Sequence, residues 1–185
     1  VCAFQGFGGV DATPQRRLTA SNYVGEGGTP ASDWATHIAF ANYWNAAFYN
    51  TATETTLAAT YAGGGPAGDA ALTTYVESST AAGTFSLPTL LTHGQDFYNL
   101  AVTYDKRLCF YEGGYSPDFG GSAEVIAIRS DSRLHPLIET YELQNMNSMV
   151  DLGERTEYPS FLGLGGAVSP WGLVDSLYFE PTDDP

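Results

Sequence analysis

The sequence predicts an α/β protein in which parallel strands alternate with helices. Short apolar runs recur along the chain, and glycine or aromatic residues stand at or directly after the end of each of them. Segments with apolar residues at helical spacing lie between these runs. Alternation of this kind gives a parallel sheet whose strands are joined by right-handed crossovers. The chain has 185 residues, which suits one domain.

Four apolar runs are predicted to be strands. In chain order they are residues 1–9 (VCAFQGFGG), 37–44 (HIAFANYW), 108–112 (LCFYE) and 158–164 (YPSFLGL). The run at 37–44 is continuous enough in apolar content to be buried on both faces, as in a parallel sheet.

Helices are predicted between and after these strands. The clearest helical stripe is formed by Phe97, Leu100, Ala101 and Tyr104, which follow the spacing i, i+3, i+4, i+7. The predicted helices are residues 13–23, 69–80, 92–105, 122–128, 133–149 and 171–179. Residues 46–61 are mostly small and polar, and the Gly-Gly-Gly-Pro run at 63–66 reads as a break in the chain's regular structure.

The charge balance excludes two classes of partner. The chain carries 7 Lys and Arg against 21 Asp and Glu, a net charge of −14. Nucleic acids and anionic membranes both need a basic face, so neither is expected as a partner. No apolar run approaches the ~18 residues of a membrane span. Strong acidity suits extracellular, cell-surface or virion-associated proteins, and we expect one of these locations.

No metal and no cofactor is predicted. His37, His93 and His135 share no spacing that is typical of a metal site. The chain contains no phosphate-binding or dinucleotide-binding fingerprint. Cys2 and Cys109 lie in strand-like runs and are interpreted as buried free thiols, with a disulfide left open if their strands are close.

Glu112 is the candidate catalytic residue. It ends an apolar run, and Gly113 and Gly114 follow it. Buried strands rarely carry an acid, because desolvating an ion is costly unless the ion is paired or used. The C-terminal tip of a parallel strand is where barrel enzymes place catalytic groups, and two glycines would let the chain turn and a ligand approach the backbone. The alternative is a solvated acid before a glycine turn.

Four motifs resemble the C-terminal half of a glycoside hydrolase TIM barrel of the retaining cellulase and β-glycosidase superfamily. They are residues 39–44 (AFANYW), 110–114 (FYEGG), 129–133 (RSDSR) and 169–173 (SPWGL). The resemblance implies that residues 1–180 form strands five to eight of a barrel, with an acidic linker-like tail at 181–185. The remainder of the barrel would then come from the same longer chain or from another subunit.

The resemblance also implies a ligand and a chemistry. The ligand is carbohydrate, and Glu112 is the nucleophile of a retaining hydrolase. Such enzymes need a second carboxyl, the acid/base, roughly 5–5.5 Å away. In that superfamily it follows strand four, and the resemblance assigns this sequence only strands five to eight, so the acid/base is expected to lie on another part of a longer chain or to have been lost. Glu26 is the best candidate within the chain, and a solvated loop acid is its simpler interpretation.

Five residues at or near strand ends are candidate sugar-binding groups. Amide side chains can hydrogen-bond sugar hydroxyls, and aromatic faces can pack on sugar rings. For both tryptophans among them, ordinary packing in the core or at the rim is the alternative. The five candidates are Gln5, Asn42, Tyr43, Trp44 and Trp171.

Two further hypotheses compete with the enzyme. The first is a non-enzymatic structural or glycan-binding module of a virion, tail or cell-surface assembly. The second is an open α/β sheet with no catalytic role. Half a barrel exposes two sheet edges, which favour aggregation unless they are covered. A covering partner is therefore expected in the barrel interpretations.

Overall fold

The computed structural model describes residues 3–6, 33, 35–117 and 120–157. Within these residues the protein is α/β, with four parallel strands in one sheet. The strands are β1 (Ala3–Gly6), β2 (His37–Trp44), β3 (Arg107–Tyr115) and β4 (Thr156–Glu157). Their order across the sheet is β1-β2-β3-β4, so neighbours in sequence are neighbours in space. The predicted α/β class with parallel strands is confirmed.

The described part of the chain contains five α-helices. They are α1 (Ala52–Ala62), α2 (Gly65–Glu77), α3 (Leu87–Thr103), α4 (Ala123–Ser132) and α5 (Leu137–Val150). A short 3₁₀ helix, Ser78–Thr80, follows α2. Three of the α-helices connect β2 to β3, one more than the sequence predicted there, and two connect β3 to β4, as the sequence predicted.

Helix α1 was not predicted, because its buried positions are not an apolar stripe. The side chains that it buries are those of Glu54 and Ala58. Thr51 caps its N-terminus by accepting a hydrogen bond from the Glu54 amide at 3.3 Å. This helix is therefore marked by its N-terminal cap and by a buried polar side chain, and not by the spacing of apolar residues.

The remaining helix boundaries differ from the predictions mainly at their N-termini. Helix α3 begins at Leu87 rather than at residue 92, and α5 begins at Leu137 rather than at residue 133. The predicted break at residues 63–66 is confirmed at Gly63 and Gly64, which separate α1 from α2, whereas Gly65 and Pro66 form the start of α2. Gly64 has φ +68° there, a conformation that favours glycine.

Strand β3 continues past Glu112 through both glycines to Tyr115. The prediction that the strand ends at Glu112 and turns at the glycines is therefore wrong. A Cβ atom at Gly113 would lie 2.3 Å from the backbone oxygen of Asn42 on β2. Gly113 thus allows the two strands to approach closely, which is the reason that glycine stands inside this strand.

The main core lies between the sheet and helices α3 and α5. Large side chains from β2 and β3 meet apolar side chains from both helices, and burying each contributes roughly 1.5–3 kcal/mol. This core comprises Ile38, Trp44, Leu87, Leu90, Phe97, Ala101, Leu108, Phe110 and Met149. A second cluster, between α1, α2 and α4, comprises Ala46, Ala58, Tyr75, Val125 and Ile128.

A cluster of charged and polar side chains joins β4 to the N-terminal ends of β2 and β3. Glu157 on β4 pairs with Arg107 on β3 and with His37 on β2, whose Nε2 lies 2.9 Å from the carboxylate. The other ring nitrogen of His37 is 2.7 Å from the Thr36 hydroxyl. Burial and the Arg107 charge lower the pKa of His37, which favours a neutral ring with one nitrogen facing each partner.

Several predicted features lie outside the described residues. They are the helix at 13–23, the strand at 158–164, the helix at 171–179, the tail at 181–185 and Cys2. Cys109 is a free thiol whose pKa is raised by burial. Among the helices that the structure describes, none is both long and apolar enough to cross a membrane.

Candidate functional site

A β-bulge immediately precedes Glu112. Phe40 pairs with Phe110, but the next residue of β2, Ala41, pairs with Glu112, so Tyr111 is an extra residue in β3. Bulges are common beside active sites, where they re-aim a side chain. Glu112 therefore follows a local irregularity in the central strand pair, about 10 Å before the end of its strand.

The candidate sugar-binding residues of β2 divide between the two faces of the sheet. Side chains alternate along a strand, so Asn42 and Trp44 share a face with Ile38, the face that packs against the helices. Asn42 is fully buried and Trp44 is 1% exposed. Tyr43 belongs to the opposite face, with Ala41, and is partly exposed.

The structure places Trp44 in the core, as in its packing alternative. Its ring centroid lies 4.7 Å from that of Tyr115 and 6.4 Å from that of Tyr141 on α5. Its indole N–H donates a hydrogen bond to Glu142 Oε2 at 2.5 Å. Trp44 thus joins the C-terminal end of β2 to α5.

Gly114 makes room for the partly buried carboxyl of Glu142. A Cβ at Gly114 would lie 3.2 Å from Glu142 Oε1, and the residue has φ +108°. Burial raises the pKa of Glu142, and hydrogen bonds from the Trp44 indole and the Tyr115 amide oppose part of that rise. Gly114 therefore allows the side chain of Glu142, on α5, to approach the backbone of β3.

A second acid, Glu54, is buried and forms an ion pair with Arg129. The two side chains are 3% and 2% exposed. Arg129 binds both carboxylate oxygens, with Nε to Oε1 at 2.7 Å and Nη2 to Oε2 at 2.8 Å. This bidentate geometry is the strong form of the charged hydrogen bond.

Neighbouring groups satisfy the rest of this ion pair. The Tyr75 hydroxyl and the backbone N–H of Asn50 each donate a hydrogen bond to the Glu54 carboxylate at 2.8 Å. Arg129 also donates to the Gly120 carbonyl at 2.8 Å and to Asn50 Oδ1 at 3.0 Å. The ring of Tyr49 lies 4.4 Å from the guanidinium carbon.

This cluster joins helices α1, α2 and α4 beside the segments that follow β2 and β3. Burial lowers the pKa of Arg129, but the hydrogen bond and charge of Glu54 outweigh it, so the net shift is upward. Burial raises the pKa of Tyr75, which keeps its hydroxyl protonated as a donor. Sequence reasoning singled out Arg129 only within the motif at 129–133 and did not predict its pairing with Glu54, although the Thr51-x-x-Glu54 pattern is a known signal of a helix N-terminus.

The other candidates are placed less fully. Gln5 lies in β1, where its backbone pairs with Ala39. Trp171 and Glu26 lie outside the described residues. In the part of the chain that the structure describes, no three His, Cys, Asp or Glu side chains are grouped so that they could hold a metal ion.

Comparison with known proteins gives no relative of this chain. No protein-family model, no curated protein and no solved structure matches it.

Proposed function

We propose that this chain is a carbohydrate-active barrel domain of the retaining glycoside hydrolase type, with Glu112 as its nucleophile. The observation that supports this most is the position of Glu112, directly after a bulge in the central pair of a parallel sheet. The sequential order β1-β2-β3-β4 is the order that successive strands of a (β/α)₈ barrel would have.

The proposed reaction has two steps. A Glu112 carboxylate oxygen attacks the anomeric carbon and forms a covalent glycosyl ester as the bond to the leaving oxygen breaks. An acid/base carboxyl gives its proton to that oxygen. It then takes a proton from the water that hydrolyses the ester, which regenerates Glu112. The acid/base would come from the remainder of the barrel.

Tyr43 is the residue of β2 that best fits a sugar contact. It belongs to the face of the sheet opposite the helices, and it lies two positions after Ala41, the backbone partner of Glu112. Its partial exposure leaves ring surface for a ligand. Asn42 and Trp44, which are buried on the helix face, would support this site by fixing the strand. Gln5 and Trp171 stay proposed contacts.

A non-enzymatic glycan-binding or structural module is the second candidate. This second candidate is favoured because two carboxyls near the strand ends already have hydrogen-bonding partners. Glu54 is held by Arg129, and Glu142 is held by Trp44. Because each carboxyl is already held by a partner, neither supplies the acid/base in this proposal, and a domain that lacked the rest of the barrel would bind without hydrolysis. Such a module suits an extracellular, cell-surface or virion assembly.

The test is Glu112→Gln in the full-length protein, assayed on a panel of aryl β-glycosides. Glu154→Gln, an exposed acid in a turn before β4, is the matched control. We expect Glu112→Gln to lower kcat/KM by ~10⁴-fold or more while the control keeps wild-type turnover. Equal turnover in both variants would reject the assignment. Glycan binding without turnover, measured by calorimetry, would support the second candidate.

A further inference from the structure

An exposed aromatic side chain, that of Phe85, lies beside the C-terminal end of β2. Among the large apolar side chains that are exposed in the described part of the chain, Phe85 is the one aromatic residue, and it is 46% exposed. Its carbonyl accepts a hydrogen bond at 2.7 Å from the backbone N–H of Asn45, the first residue after β2. Phe85 therefore lies at the C-terminal edge of the parallel sheet, the edge at which such sheets bind ligands.

The segment that carries Phe85 is joined to the segments that follow β2 and β3. The side-chain amide of Asn45 donates a hydrogen bond to the carbonyl of Ser116, the first residue after β3, at 2.7 Å. The three segments thus form one connected rim. Asn45 lies four positions after Ala41, the backbone partner of Glu112, which is roughly 13 Å along the strand. A ligand on this rim would therefore extend beyond the proposed nucleophile.

Tyr49 packs against Phe85 and fixes the position of its ring. The two ring centroids are 5.7 Å apart and the ring planes meet at 84°, which is the favourable edge-to-face arrangement. The Tyr49 ring also lies 4.4 Å from the guanidinium carbon of Arg129. Arg129 is itself held by its two hydrogen bonds to Glu54. The buried ion pair therefore positions Tyr49 and, through Tyr49, the exposed ring of Phe85.

Asn50 adds a polar group next to this aromatic pair. It directly follows Tyr49 and is exposed. Its Oδ1 accepts a hydrogen bond from Arg129 Nη2 at 3.0 Å, which orients the side-chain amide and leaves Nδ2 able to donate. A flat apolar ring with an amide donor nearby matches a sugar, which offers an apolar face of C–H groups and a rim of hydroxyls.

We propose that Phe85, Tyr49 and Asn50 form a rim subsite for a neutral glycan. A sugar ring packs its apolar face on Phe85, and Asn50 donates to hydroxyls of the same glycan. This inference rests on the proposed carbohydrate-active function, and it adds a second sugar position away from Glu112. The net charge of −14 disfavours acidic polysaccharides, so the ligand is an uncharged oligosaccharide long enough to extend from Glu112 to Phe85.

The test is isothermal titration calorimetry with three neutral hexasaccharides, cellohexaose, xylohexaose and laminarihexaose. The full-length protein carries Glu112→Gln throughout, so that no probe is hydrolysed. We expect at least one hexasaccharide to bind, and Phe85→Ala to weaken that binding by about ten-fold or more. The absence of binding for all three probes would overturn the rim subsite.

Val102→Ala is the matched control. Val102 is 48% exposed and lies near the C-terminal end of α3, shortly before β3 begins at the opposite edge of the sheet. We expect this variant to change the dissociation constant by less than about two-fold, because its position is remote from the rim. Equal weakening by Val102→Ala and Phe85→Ala would overturn the assignment of the site to Phe85.

Two further variants separate ring stacking from general apolar contact. Phe85→Tyr keeps a flat ring, whereas Phe85→Leu keeps apolar area without one. We expect Phe85→Tyr to bind the hexasaccharide within about three-fold of its parent, and Phe85→Leu to bind it about five-fold more weakly or worse. Equal binding by these two variants would overturn the stacking of a sugar ring on Phe85.

Failure of the rim subsite and failure of the proposed hydrolase give different results. If the wild type hydrolyses aryl β-glycosides and Phe85→Ala leaves hexasaccharide affinity unchanged, the rim subsite is wrong and the hydrolase stands. If hexasaccharide binding depends on Phe85 and the wild type hydrolyses nothing, the hydrolase is wrong and the rim subsite belongs to a glycan-binding module.

Discussion

Glu54 and Arg129 show how the fold accommodates two buried charges. Removing ions from water costs several kcal/mol each, and mutual attraction repays this only when the remaining hydrogen-bonding groups are satisfied. Here the carboxylate accepts four hydrogen bonds, two of them from Arg129. The pair is therefore stable as a unit, and either charge alone would be poorly tolerated.

Single substitutions at this pair should be costly. We expect Glu54→Gln and Arg129→Met each to lower the free energy of unfolding by about 3–5 kcal/mol, because each leaves one buried charge without its partner. The double variant should cost less than the sum of the two. Urea unfolding measures all three variants, and exposed Glu139→Gln should change stability by less than about 0.5 kcal/mol. Additive losses would contradict the coupling.

Glu142 should give stability an opposite dependence on pH from that of a salt-bridged acid. Its pKa is raised in the folded protein, so its stabilising contribution is complete below its ordinary value of 4.5. That contribution is lost as pH rises through the folded pKa. The unfolding free energy of the wild type relative to Glu142→Gln should therefore fall between pH 4 and pH 7. Urea unfolding at each pH measures it, and a difference that rises with pH would contradict the raised pKa.

At the scale of single residues, the sequence indicates which side chains are unusual, but it does not indicate which side chains they contact. Glu112 stands out because an acid at the end of an apolar run is unusual. Trp44 stands out for the same reason that makes it a core residue, its large apolar surface. Arg129 lies 75 residues from Glu54 in the chain, and Trp44 lies 98 residues from Glu142. Only tertiary folding brings each of these pairs together.

The central strand pair is the element on which the candidate site depends. Gly113 lies where a Cβ would meet the backbone of β2 at 2.3 Å, and backbone atoms cannot move aside. Gly94 in α3 is also crowded, but its contact at 2.7 Å is the sulfur of Met149, the flexible end of a side chain. The same substitution should thus have different consequences at these two positions.

We expect Gly113→Ala to lower the free energy of unfolding by about 3 kcal/mol or more, since it forces β2 and β3 apart. Gly94→Ala should cost less than about 1 kcal/mol, because Met149 can change rotamer and alanine favours helix. Thermal or urea unfolding separates the two cases. Equal effects would show that the register of β2 and β3 is not as described.

At the scale of elements, the boundaries of β2 were predicted at both ends, because Asn42 is the one polar residue between Ile38 and Trp44 that is not aromatic. Helix α1 was not predicted, because small and polar residues hide its buried face. The bulge at Tyr111 was not predicted either, since a bulge depends on the register between two strands. The depth of Glu112 within β3 follows from that register and from Gly113.

The whole molecule, in the proposed barrel, would need further strands. In the described sheet, β1 and β4 each pair with one strand only, so each has an outer edge. Open parallel edges recruit other strands unless something covers them. The half-barrel proposal therefore predicts that these 185 residues alone associate with themselves.

Sedimentation velocity at about 10 μM tests that prediction. We expect species larger than the 19.8 kDa of the chain, since paired edges bury backbone groups that a monomer would expose. Addition of the missing half of the barrel, expressed separately, should convert them to a defined complex. A stable monomer would contradict the half-barrel.

The most direct test of the central claim is the distance from the Glu112 carboxyl to the nearest other carboxyl, in a crystal structure of the complete assembly. The proposed retaining hydrolase predicts a separation of roughly 5–5.5 Å across a cleft lined by Tyr43 or another aromatic residue. If no other carboxyl lies within ~10 Å of Glu112, the catalytic assignment is wrong and the domain is a binding or structural module.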